Sequence, residues 1–556
     1  MLTYDVLVVG AGLAGMRAAV EASQTAQVAI ISKVYPTRSH SGAAQGGINA
    51  PIGEDDSIQS HMFDTVKGSD YLGDQDAIEV LITEAPDTIY ELERWGMLFD
   101  RRPDGTIAQR PFGGAGFPRG CYAADLSGHA ALHTLYEQLL RRSVRVYPEW
   151  MLLELIVEDG VCCGAVALDF QHGRIEQIRA KTVVLATGGY GRAFRKTTND
   201  IVNNGDGMAI AYRSGAILSD MEFVQFHPTT LYGTNILISE GARGEGGYLL
   251  NNQGERFMAR YAPKFMELAP RDMVSRCIMM EIKEGRGFEN EYVWLDLRHL
   301  GEELIKERLP QVHDLALRYN GVDAVEEPIP IQPGQHYSMG GIRSNVWGET
   351  NLQKLLVAGE CANVSVHGAN RLGGNSLLET LVFGKRAGRR AAETAAGMDY
   401  PRVDAAPMHG VQAKIDAVMS GQAGDNPAHL SRRIRDIMTD KVGVFREGGD
   451  LQEAVAELMD FKERYPRIRL DRAPLAFNYQ LTDYLELGFL LDLCEAIAKG
   501  ALRRTESRGA HYRTDFPTRD DDNWLFHSYA RYSPEGSVLD NGPVSITRYP
   551  PAARGY

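Results

Sequence analysis

"YDVLVVGAGLAGMRAAVEASQTAQVAIISK", Tyr4–Lys33, decides the fold. Val6 to Val9 form a short apolar strand, Gly10, Gly12 and Gly15 supply a G-x-G-x-x-G turn, and a small-residue helix follows. Val28 to Ile31 then make the next strand. The first glycine permits the tight turn, the second lets backbone approach a pyrophosphate, and the third allows close helix–strand packing. The helix N-terminus aims its free amides at the phosphates. The strand–turn–helix–strand context marks a dinucleotide fold, but the second strand ends in Ser32-Lys33, where an NAD site would carry an acidic residue.

Two further strand ends carry glycine turns. "KTVVLATGGYGR" spans Lys181–Arg192, and "LQKLLVAGECANVSVHGANRLGGNSLLETLVFGKRAG" spans Leu352–Gly388, with a helix opening near Asn375. Three such ends far apart in sequence predict one sheet assembled discontinuously around an insertion. The expected organisation is a dinucleotide-type α/β unit over 1–225 and 346–397, a capping insertion over 226–345, a helical region over 398–510 and a C-terminal tail over 511–556. Leu430, Ile434, Ile437 and Met438 share one helical face, and Leu451, Val455, Leu458 and Met459 another. The tail has no strong period, which predicts that it wraps its own domain or meets a partner.

Composition excludes several classes. The 556 residues suggest about three to four domains. A hydrophobic content of 44% with 24% charged residues is that of an ordinary globular protein. A net charge of −14 argues against nucleic-acid binding. No run of about 18 apolar residues is present to span a membrane. With the first motif starting at Asp5, no leader is expected, which places the chain in the cytoplasm or on the cytoplasmic face of a membrane. Six scattered cysteines without a CxxC pair predict free thiols and no metal or iron–sulfur cluster within the chain.

Five long stretches occur in register: "SKVYPTRSHSGAAQGGINA", "FHPTTLYGTNILISEGARGEGGYLLN", "PRDMVSR", "HYSMGGI" and "HGANRLGGNSLLETLVFG". With these and the "AHYRTDFPTRDDDNW" tail, the chain resembles, over essentially its whole length, the flavoprotein subunit of succinate dehydrogenase and fumarate reductase. The resemblance implies a Rossmann-like FAD-binding domain with an inserted α+β capping domain, a helical domain and an extended tail. It implies FAD joined covalently to His40, an attachment that would make the flavin a stronger oxidant. Further FAD contacts fall on Gly10, Gly12, Gly15, Ser32, Lys33, Ser39, Ser41, Gln45, Gly46, Gly47, Asp206, Glu360, Ser376 and Leu377. A carboxylate suits a pair of hydroxyls, and the Ser376-Leu377 amides open a helix.

A dicarboxylate substrate in an acidic protein needs local cations. His227, Ser239, His336 and Arg371 match the family's substrate residues, an arginine fork joined by directional donors. Ser239 stands where the resemblance leads one to expect Thr. Arg271 matches the proton-transfer residue, and Glu240 and Arg243 its relay to solvent. Succinate oxidation to fumarate is then implied, with electrons passing to a separate iron–sulfur subunit and, through a membrane anchor, to quinone. Quinol:fumarate reduction is the alternative direction; Gln45, a neutral amide, leans toward the succinate-oxidising type. L-aspartate oxidase shares the architecture but is expected to lack the RSH histidine.

Overall fold

The computed structural model describes residues 2–554. Strand Leu2–Val9 lies in the middle of the largest sheet, and its continuous aliphatic run from Val6 to Val9 is buried between its neighbouring strands and against helices Leu13–Ala22 and Asn375–Ala395. It pairs in parallel with Val28–Ser32 on one side and with Arg174–Leu185 on the other. Arg145–Pro148 extends the first side in parallel, and Leu355–Val357 pairs in parallel with Arg174–Leu185. An antiparallel hairpin, Trp150–Glu158 with Val161–Asp169, completes the sheet. The three glycine-bearing strand ends are therefore neighbours, as the sequence predicts.

Helix Leu13–Ala22 runs from the first turn and packs against helix Asn375–Ala395. Their approach is backbone-close: a Cβ on Gly388 would lie 2.2 Å from the Ala18 carbonyl oxygen. The turn is equally exacting. Gly10 has φ +107°, and a Cβ there would sit 2.1 Å from the Ala186 oxygen.

Residues 224–338 hold a separate four-stranded antiparallel sheet, ordered Val224–Leu231, Ile329–Ser338, Val293–Asp296, Tyr248–Leu250. It has its own apolar core, with Leu249, Ile278, Leu295 and Ile331 wholly buried. Helix Arg271–Lys283 packs on strand Val224–Leu231 and so brings its first residue to the boundary with the FAD-type unit. Gly341–Arg343 lies outside this sheet, pairing with Leu218–Ser219 and Ala362–Asn363.

Helices Pro427–Lys441, Gly448–Arg464 and Tyr479–Arg503 pack together. The predicted face of the first is buried; on the second, Leu451 and Leu458 are buried with Ala454 and Phe461, while Val455 and Met459 sit at the edge of that face. The tail is more regular than expected. Phe526–Arg531 and Val538–Pro543 form an antiparallel pair joined to Leu218–Ser219. Its signal is hidden because polar bonds anchor it: His527 Nδ1 lies 2.7 Å from Asp220 Oδ2. Arg554 closes the described chain by pairing with Asp272 at 3.0 Å and Asp70 at 3.4 Å. No helix of the described residues is long and apolar enough to cross a membrane.

Candidate active site

A deep cavity runs from the Gly10–Leu13 turn to the boundary with the capping sheet. Its floor is the turn itself, with Ser32 and Lys33 at the end of the second strand. Gly15 does not line it; this glycine lets the helix pack, since a Cβ there would fall 1.9 Å from the Gly10 oxygen. The Ser41 hydroxyl accepts from the Leu13 amide at 3.2 Å, which ties the irregular Ser39–Gly47 loop to the helix start. The Ser39 hydroxyl and Gln45 Oε1 are buried on this wall without hydrogen-bond partners among the described residues. Buried polar atoms of this kind mark a site built for a ligand with polar groups of its own.

Across the cavity, Ser376 and Leu377 sit in the first turn of helix Asn375–Ala395, whose N-cap residue Gly374 offers no side chain. Apart from the Asn375 amide, which donates to the Leu372 carbonyl at 3.3 Å, the amides of that turn have no intrahelical acceptor. Glu360, on the turn after strand Leu355–Val357, accepts from the Ser338 amide at 2.8 Å. Burial pushes its carboxyl up to about 7, so near neutrality it can both donate and accept. Asp206 is engaged by protein: Lys33 Nζ lies 2.9 Å from Asp206 and 2.6 Å from Glu486. Burial disfavours the Lys33 charge, but the two carboxylates outweigh it and raise its pKa.

His40 opens a short helical turn, His40–Ala43, beside the cavity. Its Nδ1 accepts from the Asp200 amide at 3.4 Å, which in the neutral ring places the proton on Nε2. Burial lowers its pKa, against the pull of Asp200, and so favours the neutral imidazole that a nucleophile requires.

The far end of the cavity gathers the predicted substrate residues. His227 lies on Val224–Leu231 and His336 on the neighbouring strand Ile329–Ser338, with ring centroids 4.9 Å apart. His336 Nδ1 is 2.8 Å from the Thr198 hydroxyl. Both histidines are held well below their ordinary pKa, first by burial; Arg271 and Arg243 then add to the shift of His227, and His227 and Arg271 to that of His336. They are neutral donors at physiological pH. The Ser239 hydroxyl lines the cavity while accepting from the Gly241 amide at 3.0 Å.

Arg271 is the first residue of helix Arg271–Lys283 and is 7% exposed. Glu240 accepts from its Nε at 2.6 Å and meets its Nη2 at the same distance. The other Glu240 oxygen accepts from the Gly113 amide at 2.7 Å and lies 3.8 Å from Arg243. Burial works against the Glu240 charge, but Arg271 and Arg243 outweigh it and hold the carboxyl below its usual range. Arg243 does not line the cavity; it sits behind Glu240 and donates to the Glu267 carbonyl. Arg371, 2% exposed, is lowered to about 9 by burial and then by the Arg271 charge, and it remains protonated at neutral pH.

Gln225, absent from the sequence-based set, joins the two arginines. Its Oε1 accepts from Arg371 Nη2 at 3.0 Å and from Arg271 Nη1 at 3.3 Å. Its amide donates to the Arg371 carbonyl at 2.8 Å and to Asn370 at 2.9 Å. The signal was present: Gln225 stands two residues before His227 on one strand, a spacing that tends to share a face. Thr198 gave no comparable sign, because its contact with His336 spans 138 residues.

The FAD binding domain family matches residues 5–377, and the fumarate reductase flavoprotein C-terminal family matches residues 431–556. A fumarate reductase flavoprotein subunit of Mycobacterium tuberculosis is 45% identical over 100% of this chain and 99% of its own. The chain belongs to the succinate dehydrogenase/fumarate reductase flavoprotein family. A succinate dehydrogenase flavoprotein subunit of Rickettsia bellii is 44% identical, covering 100% of this chain and 98% of that one. Among solved structures, a mutant FrdA chain of E. coli quinol fumarate reductase superposes with a TM-score of 0.96 at 41% identity, covering 100% and 99%. As a member of this family the chain is an FAD-dependent oxidoreductase, and the glycine turn, the unpartnered wall and the open helix N-terminus fit that cofactor.

Proposed function

We propose that this chain is the flavoprotein subunit of a succinate dehydrogenase. It oxidises succinate to fumarate and passes electrons to an iron–sulfur subunit, then to quinone through a membrane anchor, as a peripheral protein on the cytoplasmic face. The observation that carries this reading is the convergence of Arg271, Arg371, His227 and His336 at one end of the FAD cavity, with Glu240 behind Arg271. FAD, when bound, supplies the hydride acceptor. His40 would hold it covalently; Gly10, Gly12, Ser32, Lys33, Ser39, Ser41, Gln45, Gly46, Gly47, Asp206, Glu360, Ser376 and Leu377 would line it.

The residues of the chain account for the remaining chemistry. Arg371 and the two neutral histidines bind the substrate carboxylates, and Ser239 adds a hydroxyl. Their donors are already fixed in a buried site, so they need no reorganisation when the substrate arrives. Arg271 takes the methylene proton. An arginine is ordinarily locked in its charged form; a neutral arginine base requires a desolvated site crowded with other positive charge, and buried Arg271 has Arg243 and Arg371 as like-charged neighbours. The proton leaves by way of Glu240 and Arg243.

Succinate-dependent dye reduction tests the assignment, and acid precipitation tests the attachment: flavin that stays with the protein pellet supports His40, and flavin in the supernatant refutes it. Fumarate reduction is a second reading, favoured by two of the three relatives described above, which bear that name. Rates of succinate–quinone and quinol–fumarate turnover in the assembled complex separate the two directions.

A further inference from the structure

Arg371 owes its position to more than Gln225. Its guanidinium lies over the ring of Tyr337, 4.4 Å from the centroid. The Tyr337 hydroxyl donates to Glu379 Oε2 at 2.5 Å. The same oxygen lies 3.1 Å from Nε2 of His367, whose ring meets Tyr337 edge-on at 5.3 Å. Glu379 is 2% exposed, in the second turn of helix Asn375–Ala395, the helix whose first turn faces the cavity.

A carboxylate buried this deeply is costly unless something is gained by its charge. If it served only to pack the helix, an apolar residue would do so at lower cost. Its contacts in this network are a phenol and an imidazole, and the positive charge on the far side of the phenol is Arg371. A phenol hydroxyl donating to an anion gains electron density in its ring, which strengthens the attraction between that ring and a cation on its face. The hydrogen bond also fixes the ring plane. Burial first, and then the Glu379 charge, raise the Tyr337 pKa well above its ordinary value, so the phenol keeps its proton and stays a donor.

We propose that Glu379 is a positioning residue for the substrate clamp, acting through Tyr337 to fix Arg371 against one carboxylate of a C4 dicarboxylate. This inference rests on the dicarboxylate reading of the site. It assigns Glu379 no part in the proton or hydride transfer. The clamp holds substrate and transition state alike, so disturbing it acts on binding with little effect on turnover.

The experiment uses flavin-loaded wild type, Glu379→Gln and Tyr337→Phe. It measures succinate kinetics per bound flavin and the equilibrium dissociation constant of malonate, a dicarboxylate that cannot be oxidised in this way. Both variants should raise KM and the malonate constant about tenfold while kcat stays within about threefold. The double variant should match the singles, because both cut one tether. Unchanged malonate binding in Tyr337→Phe overturns the inference, whether or not Glu379→Gln yields folded protein. So does a Glu379→Gln enzyme whose KM is normal or lowered, or a double variant whose effects add in full. A wild type that neither oxidises succinate nor binds malonate overturns the functional reading itself, and this inference with it.

Discussion

The glycine turn at one end of the cavity and the arginine cluster at the other solve different problems. The turn is made of backbone. Its residues are adjacent in sequence, and its function follows from what glycine lacks, as the 2.1 Å approach at Gly10 requires. The cluster is made of charge. Gln225, Glu240, Arg271, His336 and Arg371 come from five segments, and each side chain is buried or nearly so. A site of the first kind is written locally and fails as a unit. One of the second kind is written by the tertiary fold and fails by degrees.

Substitutions can break or sharpen that contrast. The largest effect should come from Gly10→Ala, which adds a Cβ at a positive φ against a fixed carbonyl. We expect no FAD-loaded protein, read as absence of flavin absorbance in the purified fraction; a variant that keeps full flavin would break the backbone account. Arg271→Ala should retain FAD and lose about 10²–10⁴-fold in succinate turnover per flavin, the range of general acid–base catalysis. Arg271→Lys should recover little, and turnover surviving in both variants would remove Arg271 from the mechanism.

Glu240→Gln keeps the shape of the Arg271 contact but not its charge. About a hundredfold loss in kcat is expected, with a larger solvent isotope effect, because proton departure is what it hinders. Gln225→Leu should raise KM about tenfold and spare kcat more, since the amide sets the spacing of the two arginines without touching the transferred proton. Equal losses for Gln225→Leu and Arg271→Ala would mean that the cluster, too, fails as a unit.

The smallest effect concerns Glu360 and the stability of protein prepared without FAD. Its pKa is raised from the ordinary 4.5 to about 7. The folded state therefore keeps a proton that the unfolded chain loses, and stability falls as pH rises from about 4.5 to about 7. The loss from this group is up to about 3 kcal/mol above that window. Glu360→Gln should flatten the slope, measured by urea unfolding at pH 5 and pH 8. An unchanged slope would assign the pH dependence elsewhere.

The same contrast explains what could be read in advance. Val6–Val9, Val28–Ile31 and the helix from Asn375 follow from local pattern and local caps, and the structure places them there. The three parallel strand ends were legible because each repeats one signature. Gln225 and Thr198 were not singled out, because a bridging amide or a hydroxyl has no motif and its partner is set by register between distant segments. The strand pair Phe526–Arg531 and Val538–Pro543 escaped for a related reason: buried His527 and Ser528 take the place of an apolar face.

The discontinuous sheet also dictates an order of assembly. Strand Leu2–Val9 cannot gain its neighbour Arg174–Leu185 until a third of the chain exists, and Leu355–Val357 arrives far later. Ser376 and Leu377, on the opposite wall of the cavity, emerge after that. At about 5–20 residues per second, the ribosome needs tens of seconds to deliver both walls. Chains arrested before Asn375 are expected to retain no flavin fluorescence, and chains released after the full length should acquire it. The cofactor is in this sense a late arrival, admitted only when the two walls of the cavity have met.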